Sequence, residues 1–171
     1  HTRLPSYPLR KKHEVAFIGY VRDAARSAVL TDIAAHYTLA LGLTVFGDDA
    51  VRLYCEAKVG VNVPTRCFDP LAYDINMRVT EIAATGTVLL TNDLPELAEL
   101  GFIDGETCMT YVDTDELLDK LNLAMANPDL RNAIGRRGLA LVNERHTYAH
   151  RAEQVLAQVG AGEYAHVTVH G

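Results

Sequence analysis

No apolar run in this chain approaches the ~20 residues that a helix needs to cross a bilayer, which excludes a transmembrane span of that kind. Basic charge is in deficit. A formal net charge of −6 and a pI near 5.6 argue against a nucleic-acid or anionic-membrane partner, since either favours a basic face. There is no Cys-x-x-Cys pair: Cys55, Cys67 and Cys108 are three scattered thiols, which fit a reducing cytoplasm better than a disulfide framework. Their plain reading is as small buried hydrophobes rather than reactive nucleophiles. The opening His1-Thr2-Arg3-Leu4-Pro5 has neither an apolar signal core nor an initiator methionine, so the chain reads as cut from something longer. It has no internal repeat and no low-complexity stretch. What it does have is 171 residues, 49% of them hydrophobic, which is enough for one domain with a substantial core.

Residues 1–13 read as a linker, residues 14–159 as the folded domain and residues 160–171 as a C-terminal tail. Glu14-Val15-Ala16-Phe17-Ile18-Gly19 is a short apolar run ending in glycine, the pattern of a buried parallel strand. A helix is predicted from Ala24 to Leu41, with Val29, Ile33 and Tyr37 repeating along one face and Gly42 as its stop. Leu43–Gly47 reads as the second strand, Ala50–Lys58 as a short helix, Val59–Val63 as the third strand and Pro64–Asp74 as an irregular loop. Thr87–Thr91 and Cys108–Val112 complete the strands, and Asn92–Leu97 is a turn becoming a short helix. Asp113-Thr114-Asp115 caps a helix bearing Leu117, Leu118, Leu121, Ala124 and Met125. Asn127-Pro128 breaks it, and Asp129 is predicted to cap a helix with Leu130, Ala133, Ile134 and Leu141 on one side. A last helix, Tyr148–Val159, would turn Ala152, Val155, Leu156 and Val159 inward. Strands alternating with helices predict an α/β fold, a Rossmann-like parallel sheet with helices on both faces.

Ligands of such sheets sit beyond the carboxyl ends of the strands, where Gly19–Arg22, Asn62–Pro64 and Asp74–Glu81 are predicted to converge. The run Asn76–Leu90 is the most informative of these. It reads as a helix with polar groups at its start and Glu81 one turn in, stopped by Gly86 before a buried strand. Free N–H groups at such a helix start suit a phosphate, and an acid just inside can hold a ribose through its hydroxyls. Asn76 reads as the N-cap. Arg78 opposes the helix dipole, which an anionic partner would explain. Arg22 reads either as a phosphate contact or as a solvated loop arginine. Gly19-Tyr20 lets the loop approach a ligand, although a tight turn would need that glycine anyway. His146 and His150 stand four residues apart with no third ligand suggested, so capping and packing is the plainer reading and no metal site is expected. Asp48-Asp49 reads as a solvated turn.

Several of these pieces together resemble a known family. Ala57-Lys58-Val59-Gly60-Val61-Asn62, Asn76-Met77-Arg78 with Glu81 to Gly86, Leu89 to Leu97, and His146 to Glu153 resemble the nucleotide-sugar half of GT-B glycosyltransferases. The likeness runs from about Tyr54 to Val159 and is nearest to the CgeB-like (spore maturation protein) branch of the group 1 transferases. It implies a cytoplasmic two-domain enzyme. This half binds a nucleotide diphosphate-sugar donor, with no other cofactor, and a missing N-terminal half holds the acceptor. The resemblance places Glu81 on the donor ribose; Gly19, Tyr20, Arg22, Asn76, Met77 and Arg78 are expected as the further donor contacts from their own places in the sequence. No convincing catalytic base is present. Two departures stand out. Many relatives have a sugar-contacting glutamate where this chain has Tyr73, which leaves Asp74 or Asn76 for that work. Relatives also have a further strand and loop near residues 47–51. A non-catalytic sugar-nucleotide-binding module on the same fold is the alternative, slightly favoured by Tyr73. A sugar-nucleotide epimerase on this fold would also need a second domain, and nothing in the sequence selects it. The base, sugar, acceptor, anomeric outcome and oligomeric state are not written in the sequence.

Overall fold

A computed structural model describes residues 9–65, 68 and 75–160. Its centre is a five-stranded sheet, parallel throughout, in the order β2-β1-β3-β4-β5. The strands are β1 (His13–Ile18), β2 (Leu39–Gly42), β3 (Ala57–Asn62), β4 (Val88–Asn92) and β5 (Met109–Tyr111). Between and after them come α1 (Ala24–His36), α2 (Gly47–Cys55), α3 (Arg78–Ala83), α4 (Pro95–Glu99), α5 (Thr114–Ala126), α6 (Pro128–Arg145) and α7 (Tyr148–Gly160).

Side chains alternate across each strand, so two apolar clusters form. Val15 and Phe17 of β1, Val59 and Val61 of β3 and Leu90 of β4 meet Val29, Leu30 and Ile33 of α1 and Leu117 and Leu121 of α5. On the opposite face Ala16 and Leu89 meet Tyr54 of α2, Val79 and Ile82 of α3 and Leu97 of α4. Helix α6 serves both, with Ile134 in the first cluster and Val142 in the second. It crosses beneath the amino ends of β4 and β5, where Gly135 meets the backbone of Gly86 and Val88 and Gly138 meets the carbonyl of Thr107. The predicted inner side of α6 holds at Ile134 and at Leu141, which packs against the second cluster, and is corrected at Leu130. Arg131, Ile134, Gly135, Gly138 and Val142 are buried, whereas Leu130 is exposed.

The largest departure from the sequence reading lies at β2. The helix expected to reach Leu41 stops at His36, and Leu39–Gly42 is strand, paired with Val15–Ile18 of β1. Leu and Ala favour helix only weakly, and an edge of hydrogen-bonding groups offered by β1 outweighs that preference. Leu43–Val45, predicted as strand, is a connection, and α2 begins at Gly47 rather than Ala50. Asp48 and Asp49 fall in its first turn, where carboxylates favour the helix dipole. Lys58 belongs to β3, not to α2.

Capping held at α5, where the Asp113 carboxylate accepts from the Glu116 amide at 2.8 Å. It failed at α6, whose cap position is Asn127, with Pro128 at the first helical position and Asp129 within the first turn. Helix α7 forms where expected, yet its predicted inner face is exposed: Val155 by 57%, Leu156 by 68% and Val159 by 46%. Among the described residues no helix is long and apolar enough to cross a membrane.

Candidate functional site at the carboxyl edge of the sheet

Gly19 follows the last residue of β1 with φ +153°, a conformation that side-chain-bearing residues rarely adopt. A Cβ there would lie 3.1 Å from the Phe17 ring and 3.5 Å from Nε of Arg78. The absence of a side chain thus lets the loop after β1 close down on the start of α3. Helix α3 itself sits low on the sheet because Gly60 of β3 faces it. A Cβ on Gly60 would lie 2.5 Å from Cγ2 of Ile82.

Asn62, the last residue of β3, is wholly buried and joins the two loops chemically. Its side-chain oxygen accepts from Asn76 Nδ2 at 3.1 Å and from an Arg78 Nη1 hydrogen. Its Nδ2 donates to Thr91 Oγ1 at 3.0 Å, and its backbone carbonyl accepts from the Tyr111 hydroxyl at 2.7 Å. Arg78 also lies 5.2 Å from the centre of the Phe17 ring, a cation–π separation. Asn76 is not the cap residue of α3, which Met77 occupies. Its Oδ1 accepts from the Arg78 amide at 3.0 Å, so the side chain still satisfies one free N–H of the first turn. That helix is only six residues long, shorter than the sequence pattern predicts, so its dipole is a weaker contributor than the Arg78 charge.

Glu81 stands exposed in the first turn of α3. It lies within electrostatic reach of the Tyr54 hydroxyl, as Arg78 does, which places both charges beside the end of β1. Burial pushes the Tyr54 phenol well above its ordinary range and Arg78 partly offsets this, so Tyr54 stays protonated and contributes no charge here. Met77 is 61% exposed, and Tyr20 55% exposed with the Arg22 guanidinium 5.1 Å over its ring. Gly19, Asn76 and Arg78 are therefore brought into one cluster, with Glu81 at its edge. Arg22 packs on Tyr20, not on α3. Tyr73, Asp74 and Cys67 lie outside the described residues.

The sequence reading missed two members. Asn62 appeared only within a strand end and a matching motif, yet it is the hub. Arg26 was not singled out at all. It is 6% exposed, donates to the Tyr20 carbonyl at 2.7 Å and to Thr65 Oγ1 at 2.9 Å, and lies 5.6 Å from the Phe17 ring centre. It thereby ties the loop after β1 to the loop after β3. The signal was legible: Arg26 occupies position i of the inward stripe Val29, Leu30 and Ile33 at i+3, i+4 and i+7.

His146 and His150 make separate contacts. His146 Nε2 is 2.7 Å from the Leu100 carbonyl with its ring stacked on Phe102, and His150 Nδ1 is 2.7 Å from Thr147 Oγ1. Among the described residues no group of three His, Cys, Asp or Glu side chains is placed to hold an ion.

The fold and its ligand edge define a Rossmann-like domain of the kind found in the C-terminal halves of GT-B glycosyltransferases. A family model described as glycosyl transferase-like matches residues 16–157, and the chain belongs to that family. Solved structures share the architecture at low identity. The C-terminal domain of a group 1 family glycosyl transferase from Francisella tularensis is 11% identical, with a TM-score of 0.64 over 86% of this chain and 96% of that one. Sucrose-phosphate synthase from Thermosynechococcus elongatus is 15% identical, with a TM-score of 0.65 over 90% of this chain and 47% of that one. A TarM variant from S. aureus, solved with fondaparinux, α-GlcNAc-glycerol and UDP, is 9% identical, with a TM-score of 0.66 over 91% of this chain and 36% of that one. The chain thus spans less than half the length of the latter two. No curated protein sequence matches it.

Proposed function

We propose that this chain is the donor-binding half of a glycosyltransferase of the CgeB-like type, acting in the cytoplasm on a nucleotide diphosphate-sugar. The observation that carries the reading is the placement of Arg78. A neutral buried amide and an aromatic face hold its guanidinium beside the glycine loop, at the edge where such folds take their ligands. A guanidinium pairs with phosphate oxygens through charge-assisted hydrogen bonds, each contributing roughly 1.5–3 kcal/mol. Arg78 and Arg22 would stabilise the charge that develops on the departing diphosphate, an electrostatic role. Gly19, Tyr20, Asn76 and Met77 would line the donor, and the exposed Glu81 would hold the ribose. The acceptor and any general base would come from an N-terminal half. The alternative, a non-catalytic sugar-nucleotide module, draws support from Tyr73 standing where many relatives have a glutamate.

Thermal unfolding with uridine, guanosine and thymidine diphosphates tests the reading. A ligand at about a hundred times its dissociation constant adds roughly 2.7 kcal/mol, which raises the midpoint of a domain this size by about 5–10 °C. One of the three is expected to do so, and Glu81→Ala is expected to weaken that one. If none shifts the midpoint at millimolar concentration, the donor site is wrong. If affinity is unchanged in Glu81→Ala, that residue leaves the ribose role.

A further inference from the structure

We infer that the outer edge of β2 is an interaction surface for a second copy of this chain, whose own β2 pairs with it antiparallel and continues the sheet. It stands whether or not the chain binds a donor. A strand residue turns its amide and its carbonyl to the same side, and successive residues alternate. The carbonyls of Thr38 and Gly42 accept from the amides of Val15 and Gly19 at 3.1 and 3.0 Å, so Thr38, Ala40 and Gly42 face β1. Leu39 and Leu41 therefore present their amides and carbonyls outward, where the sheet ends. Among the described residues nothing bonds to these groups. The opposite edge is closed. Thr110 of β5 gives its outward amide to Asp104 Oδ1, and Val112 just beyond gives its own to Glu116 Oε2, both at 2.8 Å. Carboxylates thus block a further strand at β5, and among the described residues nothing comparable blocks one at β2.

The open groups call for an extended backbone, and the side chains say whose. Between Tyr37 and Gly47 there is no charged residue and no proline, the residues that ordinarily guard an exposed edge. Leu41, Leu43 and Phe46 leave 50%, 52% and 74% of their surface open. A charged partner would find no counter-charge along this run. A two-fold axis sets side chains against their own copies, which a charge would oppose and this run allows. With the axis at Ala40, Leu39 of one copy exchanges both its bonds with Leu41 of its partner, and Leu41 does the same with Leu39. Leucine then meets leucine on one face of the sheet and alanine meets alanine on the other. Every outward backbone group of the strand is paired.

Sedimentation equilibrium on the full chain from roughly 1 μM to roughly 1 mM covers the affinities a small interface gives. The mass is expected to rise from 18.8 kDa to twice that and no further, because each copy has one such edge. Amide exchange locates the contact: the Leu39 and Leu41 amides are expected to slow by about tenfold between low and high concentration. Leu41→Lys would set two ammonium groups on diagonal neighbours across the axis and is expected to weaken the pair by about tenfold or more. Leu156→Lys, on the exposed apolar side of α7, should leave the pair unchanged. A chain that stays monomeric throughout overturns the inference. So does a dimer whose Leu39 and Leu41 amides exchange at one rate at every concentration. A dimer broken by Leu156→Lys and not by Leu41→Lys, or growth beyond two copies, overturns it as well. The exchange measurement needs wild type alone, so it decides the matter even where Leu41→Lys does not fold.

Discussion

Cys108, wholly buried beside the start of β5, shows how strongly the core acts on single residues. Burial pushes its thiol up to about 12 from the ordinary 9.0, with Asp104 and Asp93 adding to the effect. The unfolded chain releases this proton near its ordinary value and the folded chain does not, so the folded state binds more protons above that point. Stability from this group is complete below pH 9 and is lost as pH rises towards 12. The slope is about 1.4 kcal/mol per pH unit for one thiol. Tyr54, also raised by burial, acts in the same sense at higher pH. Urea midpoints measured from pH 8 to 11 should therefore fall more steeply for wild type than for Cys108→Ala; parallel profiles would remove the thiol from the explanation. That Cys108 is a buried hydrophobe was legible in the sequence, because a lone thiol without a spaced partner has no better use. Arg26 was not read, since a charge on an inward stripe is ordinarily treated as a break in the pattern. In the sequence Asn62 is visible only as part of a motif, because hydrogen-bond hubs leave no periodic trace.

At the scale of elements, the strands most legible in the sequence were the short, largely buried apolar runs. β1, β3 and β4 are continuous apolar runs and were placed within about two residues of their observed bounds. β2 was not, although β5 at the other edge was, because Leu41 of β2 is half exposed and its residues also favour helix. Which state wins is decided by pairing with β1, a contact between distant residues that local pattern does not contain. The short α3 is a similar case, since its position depends on Gly60 in another element. Replacing Gly60 with alanine removes a little unfolded-state entropy, a gain of about 0.4–1 kcal/mol. It also drives a methyl into Ile82 and towards Tyr54, both packed and unable to swing clear. Overpacking of this kind costs about 1–3 kcal/mol, so the net change should be destabilising. Denaturant unfolding should show a lower midpoint for Gly60→Ala, and Ile82→Ala, which removes both clashing Cγ atoms, should cost less in the Gly60→Ala background than in wild type. A midpoint at or above wild type would mean that α3 is free to lift from the sheet.

Across the whole molecule, the two apolar clusters are closed by α6 passing beneath the sheet, and α7 adds nothing to either. Its sequence is patterned for burial, yet Tyr148 is 75% exposed and Arg151 to Val159 are exposed throughout. The amphipathic period predicts that a helix forms; it does not say that this chain supplies the surface to cover it. Two polar contacts tie the start of α7 down: the Thr147 pairing with His150, and Arg151 Nη2 at 2.9 Å from His146 Nδ1. Both lie near the surface, where such bonds contribute about 1 kcal/mol or less. A chain ending after Thr147 should therefore unfold within about 1 kcal/mol of the full chain, by urea denaturation with an unchanged slope. It should also keep whatever diphosphate affinity the full chain has, since Asn62, Arg78 and Gly19 are held by strands and loops that α7 does not touch in any bond described. A loss of several kcal/mol on truncation would show instead that α7 belongs to the core.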